Sequence, residues 1–344
     1  MSSEPEATLH TRLGAMPRAP TDVMRSRPPR LCGGRVRLAR GTAVSEPIVC
    51  GVDGEPHSLR ALHVAHELAI RSGRRLELLH ITSAVGEPSR RDRREWLLSR
   101  LRTDLGRPDL QLLMGNGAPA QELTCASQRA ALIVLGTRGP SALRQALRGS
   151  VSLAVLRTAA CPVIVVPRRR RHNGRPTLAG STVLCAVRDE RDLAPAATAA
   201  CWAHELGLDL VLASVVTPPR MPVAPGVGAP PPGMIPSTSE RLAATGDTID
   251  ELASQLAPLA HGAPRTRVMT GPVGPQLRRL ASVERAGLVV IGPSCRGPIR
   301  EAMAGSPGRH LLRRTASPVM VCPSAEAAVG PAERSEARLQ ARPA

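Results

Sequence analysis

Two stretches of the 344-residue chain, 46–167 and 181–324, run through the same series of apolar runs, amphipathic spans and breakers, and this repeat limits the fold more than any other feature. In the first stretch the run Ile48-Val-Cys-Gly-Val52 ends at Asp53-Gly54, which reads as a strand and a turn. Leu59, Leu62, His63, Ala65, His66, Ala69 and Ile70 then keep helical spacing up to a stop at Ser72-Gly73. A second strand is expected at 76–81, a charged helix at 91–105 with Trp96, Leu97, Leu98 and Leu101 on one face, and a third strand at 110–114. A helix over 120–129, a strand at 132–135 ending on Gly136, a loop, a helix over 151–159 and a fifth strand at 162–167 complete the series. The strands are continuous apolar runs, the pattern of a parallel sheet buried on both faces. Alternation with helices and right-handed crossovers predict a doubly wound, Rossmann-like α/β domain.

The second stretch repeats the order. Residues 183–187 match the first strand, and a helix around 196–206 stops at Gly207 as the earlier one stops at Gly73. Strands at 210–216, 266–271, 288–292 and 317–323 match the second to the fifth, with a helix at 239–257 after a Pro/Gly-rich insert, 217–238, read as a flexible surface loop. The chain therefore reads as two tandem α/β domains joined by a basic linker, 168–180. The Arg/Pro-rich segment 1–45 is expected to be disordered, or to contain an over-called start with Met16 or Met24 as later candidates, and 325–344 is expected to be a flexible tail.

Composition narrows the chemistry. All 46 basic residues are Arg, which excludes a Walker A lysine and a Schiff-base lysine. Phe and Tyr are absent and Trp96 and Trp202 are the two aromatics, too few for stacking modules that bind single-stranded nucleic acid. The net charge of +18 invites a nucleic-acid reading, but 1–45 and 168–180 carry +5 each, so more than half of it lies outside the repeats. That distribution argues against nucleic acid as the main partner and leaves loose contact of these segments with RNA or an anionic membrane as the alternative. The eight cysteines show no metal-ligand spacing, and Cys50, Cys161, Cys185 and Cys322 lie in or beside apolar runs as small hydrophobes. His63 and His66 sit three apart without a third ligand and read as a surface pair. No run of about 18 apolar residues suggests a membrane span, and no secretory core is visible, so a cytoplasmic protein is expected.

The stretch 135–152 carries the chemistry. It places Gly136 at the end of the fourth strand, then Arg138, Gly139, Gly149 and Ser150, with Val151 and Ser152 opening the next helix. Glycines on the carboxyl edge of an open α/β sheet let the backbone approach a ligand, and a helix N-terminus offers free N–H groups to an anion. This makes a phosphate cradle without lysine. Asp53, at the end of the first strand on the same edge, supplies a carboxylate for a ribose or for a metal beside phosphates. A Gly-x-Gly-x-x-Gly turn is missing after the first strand, which reads Asp53-Gly-Glu-Pro56, so a dinucleotide site is not indicated. Ser150 lacks the Gly-x-Ser-x-Gly frame of a nucleophile.

The Gly-x2-Gly-x9-Gly-Ser spacing, the aspartate after the first strand, and the segments Val-Cys-Gly-Val-Asp-Gly, Leu-Leu-His-Ile, Ile-Val-Leu-Gly-Thr-Arg-Gly and Cys-Pro-Val-Ile-Val-Val-Pro resemble the ATP-binding branch of the universal stress protein family, here in tandem. The resemblance implies five parallel strands in order 3-2-1-4-5 in each half. It implies ATP, with Mg near Asp53, the base beside Ile81, and the phosphates at Gly136, Arg138, Gly139, Gly149, Ser150, Val151 and Ser152. It also implies pairing through the fifth strand, so that the two halves form an intramolecular pseudo-dimer, with a homodimer left open. The second half departs from the pattern at Arg188 (with Asp189 one place late), Cys295 and Pro307, while Gly292, Gly305 and Ser306 are kept. The expected function is ATP binding by the first half in a regulatory or stress-adaptation protein. A slow ATPase or phosphotransferase on the same fold, and a ligand-free interaction protein, are the alternatives.

Overall fold

A computed structural model of the chain describes residues 46–82, 90–105, 111–137, 151–167, 178, 180–217, 236–292, 311 and 315–323. The first half runs β1 (Ile48–Gly51), α1 (Pro56–Ser72), β2 (Leu76–Thr82), α2 (Arg90–Leu105), β3 (Leu112–Asn116), α3 (Pro119–Ala126), β4 (Leu132–Gly136), α4 (Val151–Thr158) and β5 (Val163–Val166). The second runs β6 (Thr182–Ala186), α5 (Leu193–Leu206), β7 (Asp209–Val216), α6 (Thr238–Leu256), β8 (Arg265–Thr270), α7 (Val273–Val283), β9 (Ala286–Ile291) and β10 (Val319–Val321). All strands join one ten-stranded sheet in the order β3-β2-β1-β4-β5-β10-β9-β6-β7-β8. Within each half the neighbours are parallel and follow 3-2-1-4-5. The halves meet where β5 and β10 pair antiparallel, Val163 opposite Val321 and Val165 opposite Val319.

The continuous apolar strands bury both faces. Along β4, Leu132 and Val134 face one layer while Ile133 and Leu135 face the other. The first layer holds α1, α2, α5 and α6 and runs unbroken through both halves, from Leu62 and Leu97 to Trp202 and Leu252. The second layer holds α3, α4 and α7. Pro56 sits in the first turn of α1, where its missing N–H is harmless. Gly73 and Gly207 close α1 and α5 at φ 67° and 63°, a left-handed geometry suited to glycine.

Polar contacts across the first layer tie the halves together. The Arg74 guanidinium donates to both carboxylate oxygens of Glu205 at 2.9 and 2.6 Å and lies 5.5 Å from the centre of the Trp202 ring. Its hydrogen bond to Glu205 holds the guanidinium above its ordinary pKa. Glu67 accepts the Leu178 N–H at 2.7 Å, and Leu178 itself is buried in the core. A two-point, half-buried charged contact with an aromatic face is worth roughly 1–3 kcal/mol. An Arg74→Met chain should lose about that much stability in urea unfolding; an unchanged midpoint would show that this seam does not join the halves.

Several elements differ from the sequence reading. β3 starts at Leu112 and continues through Gly115 and Asn116, because its ladder to β2 is carried on to Thr82, whose hydroxyl also donates to Asn116. α3 ends at Ala126 with Ser127 as its cap, whose N–H still donates to the Leu123 carbonyl while its hydroxyl accepts the Ala160 N–H at 2.9 Å. α7 has no counterpart in the sequence reading; its Gly274 and Pro275 fall in the first turn, where neither disrupts the helical ladder. On α2, Leu97, Leu98 and Leu101 are buried but Trp96 is 45% exposed, at the rim of the apolar face.

Candidate functional site

β1 lies beside β4, and α1 after β1 and α4 after β4 lie in opposite layers, which opens a crevice between the two strands at the carboxyl edge. Asp53 enters this edge just after β1. Its Oδ1 accepts the Glu55 N–H at 2.9 Å, and its Oδ2 lies 3.2 Å from Nε2 of His57. The Asp53 N–H donates to Oγ of Ser58 at 3.3 Å, and that hydroxyl donates to the Glu55 carbonyl at 3.0 Å. Burial pushes the Asp53 carboxyl up, but hydrogen bonds with His57, Ser58 and the Glu55 amide outweigh it and hold the group well below the usual carboxylate range. A depressed folded-state pKa stabilises the fold above the ordinary carboxylate range, and that contribution is lost only as pH falls toward the lowered value. With its side chain 37% exposed, Asp53 presents an ionised, reachable carboxylate on the edge.

Gly136 ends β4 directly beneath the first turn of α1. A Cβ there would lie 1.9 Å from the His57 carbonyl oxygen, so no larger residue fits while α1 keeps its place. This approach brings Gly136 beside the Asp53–His57 pair. Thr137 follows, its N–H and hydroxyl both on the Val166 carbonyl at 3.2 and 3.4 Å, and its own carbonyl accepts from Arg60 at 3.4 Å. Val151 opens α4 half-buried, and the Ser152 hydroxyl donates to the Gly136 carbonyl at 3.4 Å, tying the start of α4 to the end of β4. Ile81, near the end of β2, packs on the α3 side of the sheet opposite Gly115, where a Cβ would come within 3.2 Å of it. Arg138, Gly139, Gly149 and Ser150 lie outside the described residues.

The second half fills the same corner with its own side chains. Arg188 follows β6 as Asp53 follows β1. Its N–H and Nε donate to Oδ2 of Asp192 at 2.9 and 3.2 Å, and its Nη2 to Oδ1 at 3.3 Å. Asp192 is 2% exposed, and a Cβ on Gly292 would lie 2.9 Å from both Asp192 Oδ1 and Pro195 Cγ. The i,i+4 pair is thus present in both halves with the acid in opposite places: an acid then a histidine in the first, an arginine then a buried acid in the second. Asp189 serves locally, accepting the Arg191 N–H at 3.0 Å. Cys295, Gly305 and Ser306 lie outside the described residues.

Over this frame the family model described as the universal stress protein family matches residues 45–167 and again 181–323. The chain belongs to the universal stress protein family. It carries the family domain in tandem. Among curated relatives, a universal stress protein of Thermus aquaticus is 33% identical over 132 residues, covering 35% of this chain and 96% of that protein. One from Mycolicibacterium smegmatis is 31% identical over 209 residues, covering 59% of this chain and 65% of that one. Solved structures of a universal stress protein from Archaeoglobus fulgidus and a putative one from Pseudomonas aeruginosa superpose with TM-scores of 0.57 and 0.54, each at 17% identity. The first covers 80% of this chain and 96% of its own; the second covers 85% and 97%. At that identity they show the fold alone.

The universal stress protein core also sets the state of its cysteines. Cys50, Cys161, Cys185 and Cys322 are buried, and burial pushes the Cys161 and Cys322 thiols up to about 12 and raises Cys50 and Cys185 as well, which leaves all four un-ionised. His63 and His66 are half-buried along α1. No helix among the described residues is long and apolar enough to cross a membrane. Sequence reading missed His57, Ser58 and Asp192 as parts of the two corners. Their signal was the i,i+4 and i,i+5 spacing from Asp53 and Arg188, which brings them back over the strand end once a helix starts there.

Proposed function

We propose that this tandem universal stress protein binds ATP, with Mg, through its first half and works as a nucleotide-dependent regulator in stress adaptation. The observation that carries the reading is the Asp53 carboxylate, ionised and reachable at the switch point of the sheet, beside the close approach of Gly136 to α1. In this reading Asp53 accepts from the ribose hydroxyls or faces the Mg, and Ile81 borders the base. Gly136, Arg138, Gly139, Gly149, Ser150, Val151 and Ser152 surround the phosphates, where α4 directs its N-terminal N–H groups. In this reading the second half takes no nucleotide, because Arg188 stands where Asp53 stands and reverses the charge, and its guanidinium is engaged by Asp192.

The reading is one of binding and not of turnover. Asp53 and His57, the titratable pair described at this edge, contact each other, and the reading uses the carboxylate to hold the ligand and assigns neither group to activating a water. The test is calorimetric titration of the purified full-length chain with Mg-ATP, beside an Asp53→Asn chain and an assay for ADP. Heat of binding that the variant loses supports the proposal. No heat in the wild type would overturn it, and ADP formed only by the wild type would replace the regulator with a slow ATPase.

A further inference from the structure

The peptide that joins Val52 to Asp53 is held from both sides. Its carbonyl accepts from Nδ1 of His80 at 2.7 Å, and its N–H donates to Oγ of Ser58 at 3.3 Å. His80 lies on β2, beside the end of β1, and is 4% exposed. A carbonyl only accepts, so Nδ1 carries a proton. The other ring nitrogen, Nε2, is buried with no hydrogen-bond partner among the described residues. An apolar side chain would fill the same space without the cost of an unpaired buried nitrogen. What the imidazole adds in return is the one bond to Val52.

The other half makes the comparison. Leu79 pairs with Gly51 and Ala213 with Ala186, so Ser214 of β7 stands where His80 stands on β2. Its side chain is much shorter than an imidazole. Leu193 stands where Ser58 stands and has no polar atom to offer. There the N–H of Arg188 goes to Asp192. The two-sided hold on this peptide therefore accompanies the half that keeps the aspartate.

We propose that His80 is a positioning residue of the first-half site: together with Ser58 it clamps the Val52–Asp53 peptide and so aims the Asp53 carboxylate at the ligand. The assignment rests on the nucleotide reading above for the ligand, but the clamp itself is testable without one.

The experiment uses full-length chains carrying His80→Leu, His80→Asn and Ser58→Ala, with two readouts. The first is amide hydrogen exchange at Asp53 in the absence of nucleotide, with Leu62 and Ile133 as core references. Asn keeps an N–H donor near the place of Nδ1, whereas Leu keeps volume alone. Exchange at Asp53 should quicken about tenfold in His80→Leu and in Ser58→Ala while the references hold, and stay within about threefold of wild type in His80→Asn. The second readout is Mg-ATP affinity, expected to fall about tenfold in His80→Leu and to be rescued in His80→Asn. The Asp53→Asn, His80→Leu double variant should bind no more weakly than Asp53→Asn alone, since both act through one carboxylate. Wild-type exchange at Asp53 in both His80→Leu and Ser58→Ala, or additive losses in the double variant, would overturn the assignment. A wild type that fails to bind Mg-ATP would remove the nucleotide reading and leave the exchange result to decide the clamp.

Discussion

An Asp53→Asn chain is expected to bind Mg-ATP about 10- to 100-fold more weakly than wild type and to melt somewhat lower, because the hydrogen bonds of the ionised carboxylate also stabilise the fold at neutral pH. The loss follows from the hydrogen bonds a carboxylate makes as a charged acceptor, worth about 1.5–3 kcal/mol. Asparagine keeps the shape and keeps an oxygen for the Glu55 N–H, so the turn into α1 survives. It exchanges the second acceptor for a donor and removes the charge that faces His57 and the ligand. Calorimetry of both chains at one ionic strength, with a thermal melt of each, reads the two effects apart. Equal affinities would mean that Asp53 serves only to start α1.

The largest stability loss is expected at Gly136. A Cβ would lie 1.9 Å from the His57 carbonyl oxygen and 2.5 Å from its carbon, both backbone atoms that cannot rotate away. Relief would require α1 to lift from β4, and α1 carries Leu62, Val64 and Leu68, all fully buried. Gly136→Val should therefore cost about 3 kcal/mol or more and abolish Mg-ATP binding with it. Gly246 provides the control. It sits inside α6 with nothing within 4 Å of its Cβ position, so Gly246→Ala should stabilise by about 0.5–1 kcal/mol. Urea unfolding of the two variants gives opposite signs if this account of the glycines holds. Wild-type stability in Gly136→Val would mean that α1 does not pack on the end of β4.

Hydrophobic patterning made most of the sheet legible, because strands buried on both faces write themselves as unbroken apolar runs such as Leu132–Leu135. The edges were less legible. β3 lies at the end of the sheet, where Leu113 is exposed and the apolar run is diluted by Gly115 and Asn116. The fifth-strand pairing was implied only by the family resemblance, since apolar strands as short as Val163–Val166 and Val319–Val321 carry no mark of their neighbour. At the site, Asp53 and Gly136 could be singled out along the chain, whereas their partners could not. Asp189 looked like a displaced copy of Asp53, but the turn of the helix selects Asp192, four residues on from Arg188 and buried against Gly292. His80 was visible only as one letter of a motif until its bond to Val52 gave it a place.

The asymmetry between the halves is tested most directly by the stoichiometry of Mg-ATP on the intact chain, measured by calorimetry with a concentration fixed by amino-acid analysis. One site per chain, weakened about 10- to 100-fold in Asp53→Asn and unchanged in Arg188→Ala, is the predicted result. Two sites would contradict a second half that takes no nucleotide, and a single site of unchanged affinity in Asp53→Asn would place the nucleotide somewhere other than the first half's edge.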